Sequence, residues 1–296
     1  MKITTVAIIG GGRVGSGIAT VTAQHGLKTI VTEKTPALAQ ATLYHIIQEI
    51  DTQIARWGMT ESDKKYILSN LQIGYDLERS READLVICSI PSIMEEQREI
   101  FAYLNAICQP ETIFSSSTSM LSITELASVL THPSNMLGLH FRSPVFKAEL
   151  VEIVRGFATS NETFEIGRTF VEKIGKVGIE VFETPGGVTT RVILPMINEA
   201  MYTLLEGVAT AWDIDTAMRV GFNMEVGPLE LADRIGLDRV LRSMDMLFHE
   251  TGETKFRPCP LIKKLVRAQH YGVNTGEGFF IYDQKTGERL ATSALV

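Results

Sequence analysis

The chain has 296 residues, 45% of them hydrophobic, and a formal net charge of −7 in which 28 Lys and Arg are scattered among 35 Asp and Glu. Its length allows about two domains of roughly 100–200 residues, each with a sizeable core. An acidic chain with no basic cluster carries no electrostatic footprint for nucleic acid or an anionic membrane, so a small molecule is the expected partner.

Cys88, Cys108 and Cys259 are odd in number and lack CxxC spacing. That pattern suits structural thiols in a reducing compartment and no metal cluster. No apolar run reaches the ~18 residues of a transmembrane helix, and the opening MKITTVAIIG leads into glycines, so the expected location is cytoplasmic.

Thr5-Val6-Ala7-Ile8-Ile9 is an apolar, β-branched run that breaks into Gly10-Gly11-Gly12-Arg13-Val14-Gly15-Ser16-Gly17, after which a helical pattern begins at Ile18. Within this strand, turn and helix, Gly10, Gly12 and Gly15 give GxGxxG. One glycine serves the turn, one the approach of backbone to a pyrophosphate, and one the packing of helix on strand. The helix N-terminus, opened by Arg13 and Val14, would bind the anion. A second β run, Lys28 to Thr32, ends at Glu33, about twenty residues further on, where an acid hydrogen-bonds the adenosine ribose. Glu33 favours NAD; Arg13 and Lys34 are cations able to tolerate a 2′-phosphate, so NADP stays open on these residues alone.

From Pro36 to Leu68 the pattern predicts a helix. Ala83 to Ile90 reads as a fully buried strand, and Thr112-Ile113-Phe114-Ser115 begins another. Strands alternating with helices predict an α/β fold with a parallel, doubly wound sheet, whose ligands sit beyond the carboxyl ends of the strands. Two polar stretches fall at such ends: Ser115 to Ser119, and His140 after Asn135 to Leu139. Glu152 lies inside the apolar run Glu149 to Val154, and a carboxylate buried there needs a partner. His140 is a suitable one, because a carboxylate on one imidazole nitrogen leaves the other as a base. Glu149 is an alternative partner. The remaining histidines show no metal-ligand spacing.

Lys176 to Phe182 reads as the last strand, and Thr184-Pro185-Gly186-Gly187 marks a boundary, giving expected domains 1–184 and 185–296. The second is predicted all-helical. Thr190 to Ala209 carries an apolar stripe interrupted by Pro195, further helices cover Asp213–Val220, Pro228–Ile235 and Pro260–Ala268, and a short β-like tail runs from Gly278 to Tyr282.

Taken in order, AIIGGGRVGSGIA, SSTSML, GLHFRSP, LVEIV, TPGGVTTRVILPMINEAMYTLLEGVA, DIDTAMRVG, VGPLELADRIGLD and NTGEGFFIY resemble the motifs of the 3-hydroxyacyl-CoA dehydrogenase family along nearly the whole chain. The resemblance implies an NAD-binding Rossmann domain, a helical domain that makes a homodimer, and oxidation of a 3-hydroxyacyl thioester. It also implies that His140 is the base, Glu152 its carboxylate partner, and Ser119 the serine that hydrogen-bonds the substrate oxygen. Departures from the family pattern are specific. The usual HFFNP is His140-Phe141-Arg142-Ser143-Pro144, a family asparagine is replaced by Thr190, and an acidic position near the nicotinamide is Ser92. An aromatic-proline pair becomes Met224-Glu225, and a lysine becomes Asn274.

The extra polarity beside the base leads to an expected substrate that is short and polar, carried on CoA or an acyl carrier protein, with Arg142, Ser143 and Thr190 near it. Arginine presents a fixed fork to oxygen anions. Two further readings stand beside this one: a dehydrogenase of free hydroxy or sugar acids, and a non-catalytic NAD-binding structural or regulatory protein of the same fold.

Overall fold

In the computed structural model, which describes every residue except Trp57, Ser119, Leu295 and Val296, the chain divides into two units, Met1–Gly187 and Val188–Val296. The first is built on strands β1 (Thr5–Ile9), β2 (Lys28–Thr32), β3 (Leu71–Gly74), β4 (Leu85–Cys88), β5 (Ile113–Ser116), β6 (Met136–Phe141), β7 (Leu150–Arg155) and β8 (Val177–Phe182). They form one sheet in the order β3-β2-β1-β4-β5-β6-β7-β8. Helices α1 (Arg13–Gln24), α2 (Pro36–Ala55), α3 (Glu61–Asn70), α4 (Met94–Ile107), α5 (Ile123–Ala127) and α6 (Asn161–Lys173) belong to the same unit.

Every residue of β1 and β4 is buried, as expected for strands covered on both faces. Strand periodicity divides β1 between two cores. Val6 and Ile8 join Ile18, Ala19 and Val21 of α1, whereas Ala7 and Ile9 join Phe101 and Leu104 of α4. Each such buried Ile, Leu or Phe contributes about 1.5–3 kcal/mol of transfer free energy.

Three features depart from the expected pattern. Strands β1 to β6 pair in parallel as expected, but β6 and β7 are antiparallel. The segment 142–149 explains this, because a parallel return needs a crossover of about a dozen residues or more. The predicted helix over 36–68 is two helices: Thr60 starts α3 with a capping box, its side chain accepting from the Asp63 N–H while Asp63 accepts from the Thr60 N–H. Strand β3 was not foreseen, since Leu71-Gln72-Ile73-Gly74 lies at the sheet edge, is only partly buried, and lacks a fully apolar run.

The second unit contains α7 (Thr189–Leu205), α8 (Ala211–Phe222), α9 (Pro228–Ile235), α10 (Leu237–Thr251) and α11 (Pro260–Arg267), with a two-stranded ribbon of β9 (Phe280–Tyr282) and β10 (Arg289–Thr292). Pro195 lies inside α7. Two fully buried carboxylates join the pieces. Asp215 accepts from the Leu229 and Glu230 N–H groups at the start of α9, at 2.9 Å each. Asp233 accepts from the Phe279 and Phe280 N–H groups, both at 3.0 Å, and from the Tyr282 hydroxyl at 2.9 Å. Arg289 is stacked over the Trp212 and Phe280 rings and pairs with Glu230 at 3.1 Å.

Burial pushes the Asp233 carboxyl up to about 7 against the pull of its three donors. A carboxyl raised in the folded state keeps a proton that the unfolded chain has already released, so stability falls as pH rises from about 4 toward 7. Asp233→Asn replaces one carboxylate oxygen with an amide and leaves buried donors unmatched. It is expected to cost about 1–3 kcal/mol in urea unfolding, with the largest loss near the acid end of that window.

Candidate active site

The loop after β1 forms the first part of the site. Gly15, in the first turn of α1, packs on the turn so closely that an added Cβ would lie 1.9 Å from the Gly10 carbonyl oxygen. Gly12 caps α1 without a side-chain hydrogen bond, the first turn holds no acid, and the space beside the Gly12 Cα is open. Arg13 is exposed and Val14 half-buried. The bare N–H groups and positive dipole end thus face an open cradle fitted to a pyrophosphate. Glu33 follows β2; its Oε1 accepts from the Gly11 N–H at 2.7 Å and from the Thr42 hydroxyl at 2.8 Å. These residues fit a dinucleotide.

The loops after β4 and β5 are tied together beside this cradle. Ser92 and Thr118 share a 2.6 Å hydroxyl hydrogen bond, and Ser116 donates to the buried Gln97 side chain at 2.7 Å. The Ser117 N–H donates to the Cys88 carbonyl at 2.9 Å. Ser119 lies outside the described residues.

His140 and Glu152 are opposite one another in the antiparallel β6–β7 register, which puts both side chains on one face of the sheet. The imidazole Nδ1 lies 3.2 Å from Glu152 Oε2; His140 is 8% exposed and Glu152 0%. Glu152, not Glu149, is therefore the partner. The main chain at Gly187 closes over this carboxylate, where an added Cβ would sit 2.1 Å from Oε2. With the carboxylate on Nδ1, that nitrogen holds the proton and Nε2 is the acceptor.

Arg142 and Ser143 follow directly in segment 142–149, Arg142 half-buried and Ser143 exposed. Lys176, itself 9% exposed, donates to the Val145 and Ala148 carbonyls at 2.8 Å each. Burial lowers its pKa, opposed by Glu149. Thr190 stands in the first turn of α7, in the second unit.

The glycine cradle, Glu33 and the His140–Glu152 pair thus all occur in the first unit. Sequence reasoning did not foresee Thr42, Gln97 or Lys176. Thr42 lies nine residues beyond Glu33 on α2, and a polar residue on a helix facing the sheet was the available signal. Lys176 resembles any exposed lysine until the 142–149 carbonyls are seen around it.

The family model described as the 3-hydroxyacyl-CoA dehydrogenase NAD binding domain matches residues 5–184, and that of the C-terminal domain matches 186–282. A relative named probable 3-hydroxybutyryl-CoA dehydrogenase from Bacillus subtilis is 41% identical, over 97% of this chain and 100% of its own. The 3-hydroxybutyryl-CoA dehydrogenase of Bradyrhizobium diazoefficiens is 40% identical over 95% of this chain and 96% of its own. The crystal structure of (S)-3-hydroxybutyryl-CoA dehydrogenase PaaH1 from Ralstonia eutropha superposes with a TM-score of 0.89 at 35% identity, covering 95% of this chain and 100% of that one. With both halves matched and relatives aligned end to end, the chain belongs to the 3-hydroxyacyl-CoA dehydrogenase family and is an NAD-dependent oxidoreductase.

Proposed function

We propose that this enzyme interconverts a short, polar 3-hydroxyacyl thioester, carried on coenzyme A or an acyl carrier protein, and its 3-oxo form. The observation that carries the reading is the His140–Glu152 pair at the carboxyl end of β6, where ligands of a doubly wound sheet bind. Relatives named 3-hydroxybutyryl-CoA dehydrogenases support the thioester.

His140 Nε2 takes the 3-hydroxyl proton as the carbon–oxygen bond becomes a carbonyl. Glu152 pairs with the resulting imidazolium, whose charge would otherwise be stranded in a buried position. When bound, NAD supplies the acceptor for the hydride that leaves carbon 3. The N–H groups of Gly12, Arg13 and Val14 would hold the pyrophosphate, with Gly10 and Gly15 shaping the turn; Glu33 would accept from the ribose, and Ser92 would serve the nicotinamide end. Ser119 is assigned the substrate oxygen on the family resemblance alone. Arg142 presents its guanidinium beside the base to a hydroxyl or carboxylate of the acyl group, with Ser143 and Thr190 as further polar contacts.

The domain division at residue 184 separates cofactor binding from a helical part that makes a homodimer. Val192, Val208, Val220 and Phe222 support the dimer, being 66%, 70%, 81% and 74% exposed in the single chain. A cytoplasmic setting is supported by three free cysteines. No helix among the described residues is long and apolar enough to cross a membrane.

An NADH-coupled assay over 3-hydroxyacyl thioesters on both carriers, with free hydroxy acids alongside, tests the reading. Turnover of thioesters is expected, and His140→Gln should lower kcat by roughly 10²- to 10⁴-fold; turnover of free acids alone would overturn it. Arg142→Leu should cost roughly 10- to 100-fold in kcat/KM on polar acyl groups and little on plain ones, an equal loss on both removing the specificity role. Sedimentation should give a dimer, and a monomer at micromolar concentration refutes that assembly.

A further inference from the structure

Glu33 is held more firmly than an acid at a strand end requires. Its N–H donates to the Gly74 carbonyl of β3 at 2.8 Å, which fixes the main chain. Both donors to the side chain, the Gly11 N–H and the Thr42 hydroxyl, fall on Oε1, and among the described residues no hydrogen bond is formed to Oε2. Thr42 is 5% exposed. Its side chain lies against Gly11, where an added Cβ would meet Thr42 Cγ2 at 2.3 Å and Oγ1 at 2.6 Å. The Thr42 hydroxyl is also 3.4 Å from the Gly11 carbonyl. Threonine, acid and glycine loop therefore form one closed triangle reaching from α2 to the cofactor cradle.

We infer that Thr42 is a positioning residue for cofactor selection, holding Glu33 so that Oε2 accepts from the adenosine ribose and opposes a 2′-phosphate. The inference rests on the reading of Glu33 as the ribose acceptor. A glutamate on a loop edge has three side-chain torsions to order, and two donors on one oxygen fix them before any ligand arrives. The exposed cations Arg13 and Lys34 stand nearby in sequence. Once Glu33 turns away, they are left to a 2′-phosphate without a carboxylate to oppose it. Thr42 thus tips a balance between one fixed acid and two exposed cations.

The test is fluorescence titration of NADH and NADPH into the intact protein, comparing wild type with Thr42→Val, Thr42→Ala and Thr42→Ser. Wild type is expected to prefer NADH. Removing the hydroxyl in Thr42→Val or Thr42→Ala should weaken NADH by about tenfold, the worth of one charge-assisted hydrogen bond, and narrow the NADH to NADPH ratio. Thr42→Ser keeps the donor and should restore both. Added to Glu33→Gln, Thr42→Val should change the ratio little, since its effect passes through the carboxylate. Equal weakening of both cofactors, or failure of serine to rescue, overturns the inference. Wild type binding NADPH as tightly as NADH would instead remove the ribose role of Glu33 beneath it.

Discussion

The first unit is organised around a carboxylate with no exposure. Glu152 can remain inside the sheet because His140 faces it across one antiparallel rung, and a buried charge left alone would cost several kcal/mol. That rung exists only because the chain reverses after β6 instead of crossing over. The reversal does two things together: it sets one antiparallel pair between the parallel strands up to β6 and the parallel β7–β8 pair, and it puts His140 opposite Glu152 near the carboxyl end of β6. A continued parallel crossover would have carried residue 152 to a different neighbour.

The two glutamates of the site differ in what surrounds them. Glu33 sits half-buried at the end of β2, where one of its oxygens accepts from the glycine loop. Glu152 is sealed, with the main chain at Gly187 packed on the oxygen that meets the imidazole. One acid stays partly accessible; the other is closed off from solvent.

Much of this was legible in the sequence, and the reasons are local. The run Thr5 to Ile9 breaking into glycines specifies strand, turn and helix within a few residues, and an acid inside Leu150 to Val154 announces a buried partner. What the sequence did not disclose depends on contacts distant along the chain. The pairing of Glu152 with His140 in preference to Glu149 needed the strand register. The division of the long helical pattern needed the weight of the Thr60 capping box against continued periodicity. The edge strand β3 is visible only once β2 offers it a partner, and Thr42 is one threonine among many until Glu33 lies beneath it.

Lys176 gives segment 142–149 an unusual kind of support. Its ammonium grips two main-chain carbonyls, and those are present whatever side chains the segment carries. A span anchored by its backbone can exchange side chains without disturbing the strand that precedes it. Arg142 and Ser143 occupy such a span, directly after the strand that carries His140, so their side chains can change while the main chain around them keeps its hold.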